Sequence, residues 1–299
     1  MKKIRNIILL LAVCMLAICS SRIILAQETR ITITVSIPPE SFFVKQIGGD
    51  KVEVYTLIKK GASPHSFDPT PKDIANLSES KIFFKIGLPF EKQLLKKIAA
   101  GNAQLKIVNI GDGIPLRYLA NDKHANEKHE ASNEISKGNA DPHIWLNPLF
   151  VKIQATKIAD ALIEIDPENA SFYKTNLENF LNMLNETNNN IQEQLSQFNG
   201  RAIYVYHPAF GYFTDAYGLN QIAIQHEGKA PAAKDLIAVI DDLKKNHVNT
   251  IFVDPLFYGQ QAKMIANSLN AKLQVIDPLS EDYIQNLKFI AQQIKDSLK

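Results

Sequence analysis

Residues 166–198, DPENASFYKTNLENFLNMLNETNNNIQEQLSQF, contain no proline after Pro167 and place Phe172, Leu177, Phe180, Leu181, Leu184, Ile191 and Leu195 at helical intervals. A helix of about 28 residues spans about 40 Å at about 1.5 Å per residue, too long for a routine connector. Any fold of this chain must therefore be built around a rod with one buried stripe. A stiff spine also resists the wide hinge opening of flexibly linked two-domain proteins.

On either side of the rod, short β-rich runs alternate with helical patterns. TRITITVSI (30–38), VEVYTLI (52–58), KIFFKIG (81–87) and LKIVNIG (105–111) read as strands, with helices over ESFFVKQIGG and near 71–79 and 90–100. The second half repeats the rhythm in RAIYVYH (201–207), QIAIQ (221–225), TIFVDP (250–255) and KLQVIDP (272–278). Strands separated by helices imply parallel βαβ units. The expectation is an α/β fold: two small parallel-sheet domains, 27–165 and 199–299, joined by the linking helix 166–198. The polar, charged stretch RYLANDKHANEKHEASNEISKGNADP (117–142) is expected to be a mobile loop.

The first 26 residues, MKKIRNIILLLAVCMLAICSSRIILA, run from basic through apolar to small residues, the layout of a secretory signal peptide. The apolar run Ile7 to Cys19 is short against the roughly 20 residues a spanning helix needs. Export with a mature start near Gln27 is the expectation. Both cysteines, Cys14 and Cys19, fall in that segment, so a metal site in the mature chain must use nitrogen and oxygen donors. Lipid attachment at Cys19 is disfavoured by Ile18, since the usual lipobox wants a small residue there. Losing Lys2, Lys3, Arg5 and Arg22 turns a balance of 33 basic and 31 acidic residues into 29 and 31, or −2. A nearly neutral chain has no general attraction for nucleic acid.

Against this frame the histidines sort by position. His65 stands in the proline-rich turn GASPHSFDPTP after a strand, His143 in DPHIWLNP, and His207 at the end of IYVYH; Asp277 ends LQVID. His65, His207 and Asp277 lie at or just beyond the carboxyl ends of strands, where open α/β sheets place their ligands. Three imidazoles and a carboxylate can hold a divalent transition metal, and imidazole suits zinc. Singly, each histidine could instead be a hydrogen-bonded core or loop residue, and Asp277 a turn or cap residue before Pro278.

PHSFDPTPKDI, DPHIWLNP, VYHPAFGYF and VIDPL together resemble, in order and approximate spacing, the signature segments of the zinc-binding receptors of ABC importers, the ZnuA/TroA-like solute-binding proteins. The resemblance covers essentially the whole mature chain. It implies two α/β domains on a rigid backbone helix, with one metal in the cleft between them. The ligands would be His65 and His143 from the first domain and His207 and Asp277 from the second. It further implies an extracytoplasmic, monomeric receptor, not an enzyme, that delivers Zn2+ to the transmembrane permease of an importer. Manganese-type members commonly carry glutamate at the position of His207, so this set looks zinc-type, with Mn2+ the alternative cargo. Affinity order alone leaves copper and nickel open.

The sequence also departs from familiar zinc members. Its loop before the second histidine motif offers only His124 and His129, read as solvated rather than as an auxiliary site, and the cysteine pair of some members is absent. His226 and Glu227 are read as groups near the entrance, His247 as a surface cap. Asp254 either orients a ligand histidine or caps a helix. A zinc hydrolase is the competing class, but HExxH, GxSxG and P-loop motifs are missing. A surface adhesin on the same scaffold is the third, because fold does not fix function.

Overall fold

The structure is a computed structural model and describes residues 30–98, 104–118, 140–225, 230–232 and 234–299. Residues 1–26, read as a leader, with Cys19, the interior of the polar stretch with His124 and His129, and His226 with Glu227 lie outside the described residues. All eight expected strands are present. The first sheet comprises β1 (Ile31–Val35), β2 (Val52–Thr56), β3 (Ile82–Lys85) and β4 (Lys106–Asn109) in the order β2-β1-β3-β4. The second comprises β5 (Ala202–Val205), β6 (Asn220–Ala223), β7 (Thr250–Val253) and β8 (Lys272–Val275) in the order β6-β5-β7-β8. Every pairing between these strands is parallel. In both sheets the strand order reverses beside the first strand, which opens a crevice at the carboxyl ends.

The helices of the first half are α1 (Pro38–Gly48), α2 (Pro71–Glu79), α3 (Pro89–Ile98) and α4 (Pro148–Ile165). The spine is α5 (Ala170–Leu195), extended by 3-10 turns at Pro167–Asn169 and Ser196–Phe198. Then come α6 (Gly211–Ala216), α7 (Leu236–Lys245), α8 (Gln260–Leu269) and α9 (Tyr283–Leu298). The spine packs against α1 and α4 from the first half and against α9 from the chain's end. A single apolar cluster consequently runs from Ile33 in β1 through Phe180 and Leu184 to Ile294 in α9. Fully burying one such side chain contributes about 1.5–3 kcal/mol, so the spine is fixed by packing far more than by its own helix propensity.

The buried stripe of α5 is Tyr173, Phe180, Leu184, Thr187, Ile191 and Leu195. Phe172, expected in that stripe, lies at its edge with about a third of its surface exposed. Its ring covers Gly49, whose φ of +53° and lack of a Cβ leave room; a Cβ there would meet the ring at 2.8 Å. Thr187 is buried because its hydroxyl donates to Met183 O at 2.8 Å. Among the described residues no helix is long and apolar enough to cross a membrane.

Candidate metal centre

The turn carrying His65 is pinned at both ends. Tyr55, in β2, donates to Asp73 Oδ1 at 2.7 Å, and Asp73 Oδ2 accepts from the backbone N–H and hydroxyl of Thr70 at 2.8 and 2.7 Å. Thr70 is also the N-cap of α2, with Pro71 at the first helical position, so the cap that starts the helix also closes the turn. Phe67 packs edge-on against Phe90 at 4.9 Å, and the backbone N–H of His65 donates to Ser63 Oγ. The imidazole projects from this mount as the exposed member of the group.

His143 is held by Asp141, two residues earlier. The carboxylate Oδ1 of Asp141 accepts from the backbone N–H of His143 at 3.0 Å and pairs with its Nδ1 at 2.7 Å. Because an ionised carboxylate only accepts, the proton sits on Nδ1 and the Nε2 lone pair is free. His207 follows β5, and its Nδ1 meets Gln225 Oε1, just beyond the neighbouring β6, at 2.8 Å. Gln225 is carried there by the sheet, its own N–H donating to Tyr206 O at 2.8 Å. With the amide oxygen as acceptor, His207 too turns an unprotonated Nε2 inward. Phe257 stacks on the ring at 4.8 Å.

One nitrogen from each of His65, His143 and His207 lies within 4.8 Å of the other two, and the Nε2 atoms of His65 and His207 are 3.2 Å apart. Two nitrogens bonded to a tetrahedral zinc at about 2.05 Å lie about 3.3 Å apart, so this pair is already at ligand spacing. The site is electrostatically ready for a cation. Burial, followed by the neighbouring His143 and His65, lowers the His207 pKa to about 3, with the Gln225 bond acting the other way. His65 is also held below the ordinary imidazole value, first by partial removal from water and then by His143. Neutral imidazole is the form that binds metal.

The two acids are placed differently. Asp277 is half-buried beyond β8, its Oδ1 accepting from Leu279 N at 2.8 Å, and it is outside the group of three imidazoles. Asp254 is buried at the end of β7 and lines the same cavity as the histidines. It is the N-cap of the Pro255–Phe257 turn, with Oδ1 accepting from Leu256 N at 2.7 Å, so the capping role is filled by one of its two oxygens. Burial raises its pKa to about 6; the Leu256 bond and His143 oppose the shift, and Asp277 adds to it. The cavity is about 20 Å³, room for a single ion or water. Leu88, Trp145, Leu256, Phe257 and Leu279 make most of its wall apolar.

Sequence reasoning passed over Asp141, Gln225 and Phe257. Asp141 carried a readable signal, an acid two residues before a histidine across a proline, which is the spacing of an Asx turn. Gln225 carried none, since it reaches His207 only through the β5–β6 pairing. His247, read as a surface cap, ends α7 in the left-handed conformation at φ 51°, its N–H donating to Lys244 O.

A family profile described as ZnuA, zinc-uptake complex component A periplasmic, matches residues 33–297. The high-affinity zinc uptake system protein ZnuA of Bacillus subtilis is 27% identical over 269 residues, covering 86% of this chain and 84% of that protein. A crystal structure of ZnuA superposes with a TM-score of 0.81 at 37% identity, over 91% of this chain and all of the other. A manganese-bound periplasmic metal-binding protein from Candidatus Liberibacter asiaticus superposes with a TM-score of 0.74 over 91% of this chain; at 20% identity that likeness is one of fold.

Proposed function

The chain belongs to the family of zinc-uptake component A periplasmic proteins, the zinc-binding receptors of ABC importers, and from that premise we propose that His65, His143 and His207 are the protein's zinc ligands. The protein is a receptor: it captures zinc outside the cytoplasm and delivers it to the membrane importer. The observation that supports these ligands is the spacing of their inward nitrogens, within 4.8 Å of one another, with two of the three Nδ1 atoms occupied from behind by Asp141 and Gln225.

Imidazoles on two separate βα units bring the cation's binding energy to bear on how the halves sit against each other. Asp277 completes the proposed set as a fourth, weaker donor. A donor set of three nitrogens and one oxygen favours zinc over manganese, which prefers oxygen. The partners are the permease and ATPase of the importer, and the receptor works as an extracytoplasmic monomer without catalysing a reaction. The small, mostly apolar cavity, with room for one ion, supports capture of a cation.

Metal analysis of the mature chain purified without added metal, followed by competition between zinc and manganese, tests the reading. One tightly held zinc per chain, not displaced by excess manganese, is the expected result. Preferential retention of manganese would overturn the zinc assignment, and metal-dependent turnover of a substrate would overturn the receptor role.

A further inference from the structure

Behind His143, on the side away from the proposed metal position, the second oxygen of Asp141 is engaged by Arg117. Arg117 Nη1 lies 3.4 Å from Asp141 Oδ2, and Arg117 Nε donates to Asp215 Oδ2 at 3.0 Å. The guanidinium thus joins a fully buried carboxylate of the first half to an acid in α6, the helix that begins four residues after His207. The backbone of Arg117 is fixed from the same two sides. Its N–H donates to Tyr212 Oη at 2.8 Å, and its carbonyl accepts from Asp141 N at 2.8 Å.

The fit is close. Gly211 lies directly under the guanidinium, where a Cβ would come within 2.4 Å of Cζ and 2.5 Å of Nη1. Three contacts in α6 and two at Asp141 therefore meet in one residue, whose side chain is 23% exposed. A planar fork with several fixed donors can serve two carboxylates at once, which an ammonium on a flexible stem cannot do as well.

We infer that Arg117 is a positioning residue for zinc retention: a latch that ties the carboxylate orienting His143 to the helix following His207, so that the two histidines keep their spacing only while the halves stay engaged. The inference rests on the three-histidine reading of the site. When the latch is closed, Asp141 has one oxygen on His143 and the other on Arg117, and cannot rotate away. When it is open, Asp141 keeps its charge but loses its fixed direction, and His143 and His207 are free to separate. Loss of the latch thus acts on the escape of bound zinc more than on its arrival, because arrival occurs at the exposed His65 side.

Zinc association and dissociation rates measured by stopped flow, with a chelator chase for release, test this on the mature chain. Arg117→Met should raise the dissociation rate about tenfold, in line with changes behind metal-ligating histidines, while association stays within about threefold. Arg117→Lys should behave as Arg117→Met, because it restores charge without the fork. Asp215→Asn, which leaves the Asp141 contact in place, should raise dissociation by a smaller factor and serves if the Arg117 variants fold poorly. Wild-type dissociation in Arg117→Met, or in Asp215→Asn where the Arg117 variants fold poorly, would overturn the latch, as would full rescue by lysine. His143→Ala separates the two levels: unchanged zinc affinity there would sink the site and the latch together, whereas a weakened site with unaltered release in Arg117→Met sinks the latch alone.

Discussion

One oxygen of Asp141 holds His143 twice, at the backbone N–H and at Nδ1, at 3.0 and 2.7 Å. The orientation of the ring is thereby set before any ion arrives. Asp141→Ala is expected to weaken zinc binding about 10–100-fold with the far-UV spectrum unchanged. Calorimetric titration reads it, and an affinity equal to wild type would show that the ring needs no support from behind.

His207 is the imidazole on which the second half depends. Truncation to alanine removes one of three nitrogens and leaves the buried Oε1 of Gln225 without its partner. His207→Ala should lose at least about tenfold in zinc affinity and retain its fold. Asp277→Ala should cost less, because water can take the place of one oxygen donor. If Asp277→Ala proves the more damaging of the two, the ranking of the donors is reversed.

Much of this was legible in the sequence. The eight strands announce themselves because buried parallel strands read as short apolar β-branched runs, and the spine because it lacks proline over its whole length. The observed strands are shorter than the apolar runs, since pairing stops where the chain turns out toward the site, as at Asp254 after β7. The three histidines were visible as residues at strand ends or in proline turns. What supports them was less so: Gln225 is joined to His207 by strand register, and Arg117 to Asp215 by a contact across 98 positions. Phe172 was assigned to the buried stripe because periodicity fixes a face only to within about one residue, and the opening above Gly49 took it to the rim.

The spine gives a prediction about the scaffold. Phe180 is 1% exposed and meets Phe42 and Phe43 of α1, each with centroids 5.9 Å from its own. Phe180→Ala should destabilise the chain by about 3–5 kcal/mol, because the rings around it belong to fixed elements that cannot close the gap. Urea unfolding measures the loss. A change below about 1 kcal/mol would mean that the packing of the spine against α1 does not hold it in place.

Acid stability without metal should carry two opposing signatures from the site. The His207 pKa is about 3 in the fold against an ordinary 6.5, so the unfolded chain takes up a proton that the folded chain refuses as pH falls between those values. Its contribution is complete above about pH 6.5 and is lost progressively toward pH 3. Asp254 runs the other way. Its folded pKa of about 6 exceeds the ordinary 3.8, so its contribution is present below about pH 4 and is lost as pH rises through 6. Glu40 and Glu91, both raised by burial, act in the same sense as Asp254, so the test has to be a difference between variants. Asp254→Asn removes only the second of the two signatures, and between pH 4 and 6 it should lose stability on acidification more steeply than wild type, by a slope of about one proton. Urea midpoints across that range in the presence of a chelator read the slope. A variant that parallels wild type would show that Asp254 keeps an ordinary carboxylate pKa and that its burial beside the histidines has no electrostatic consequence.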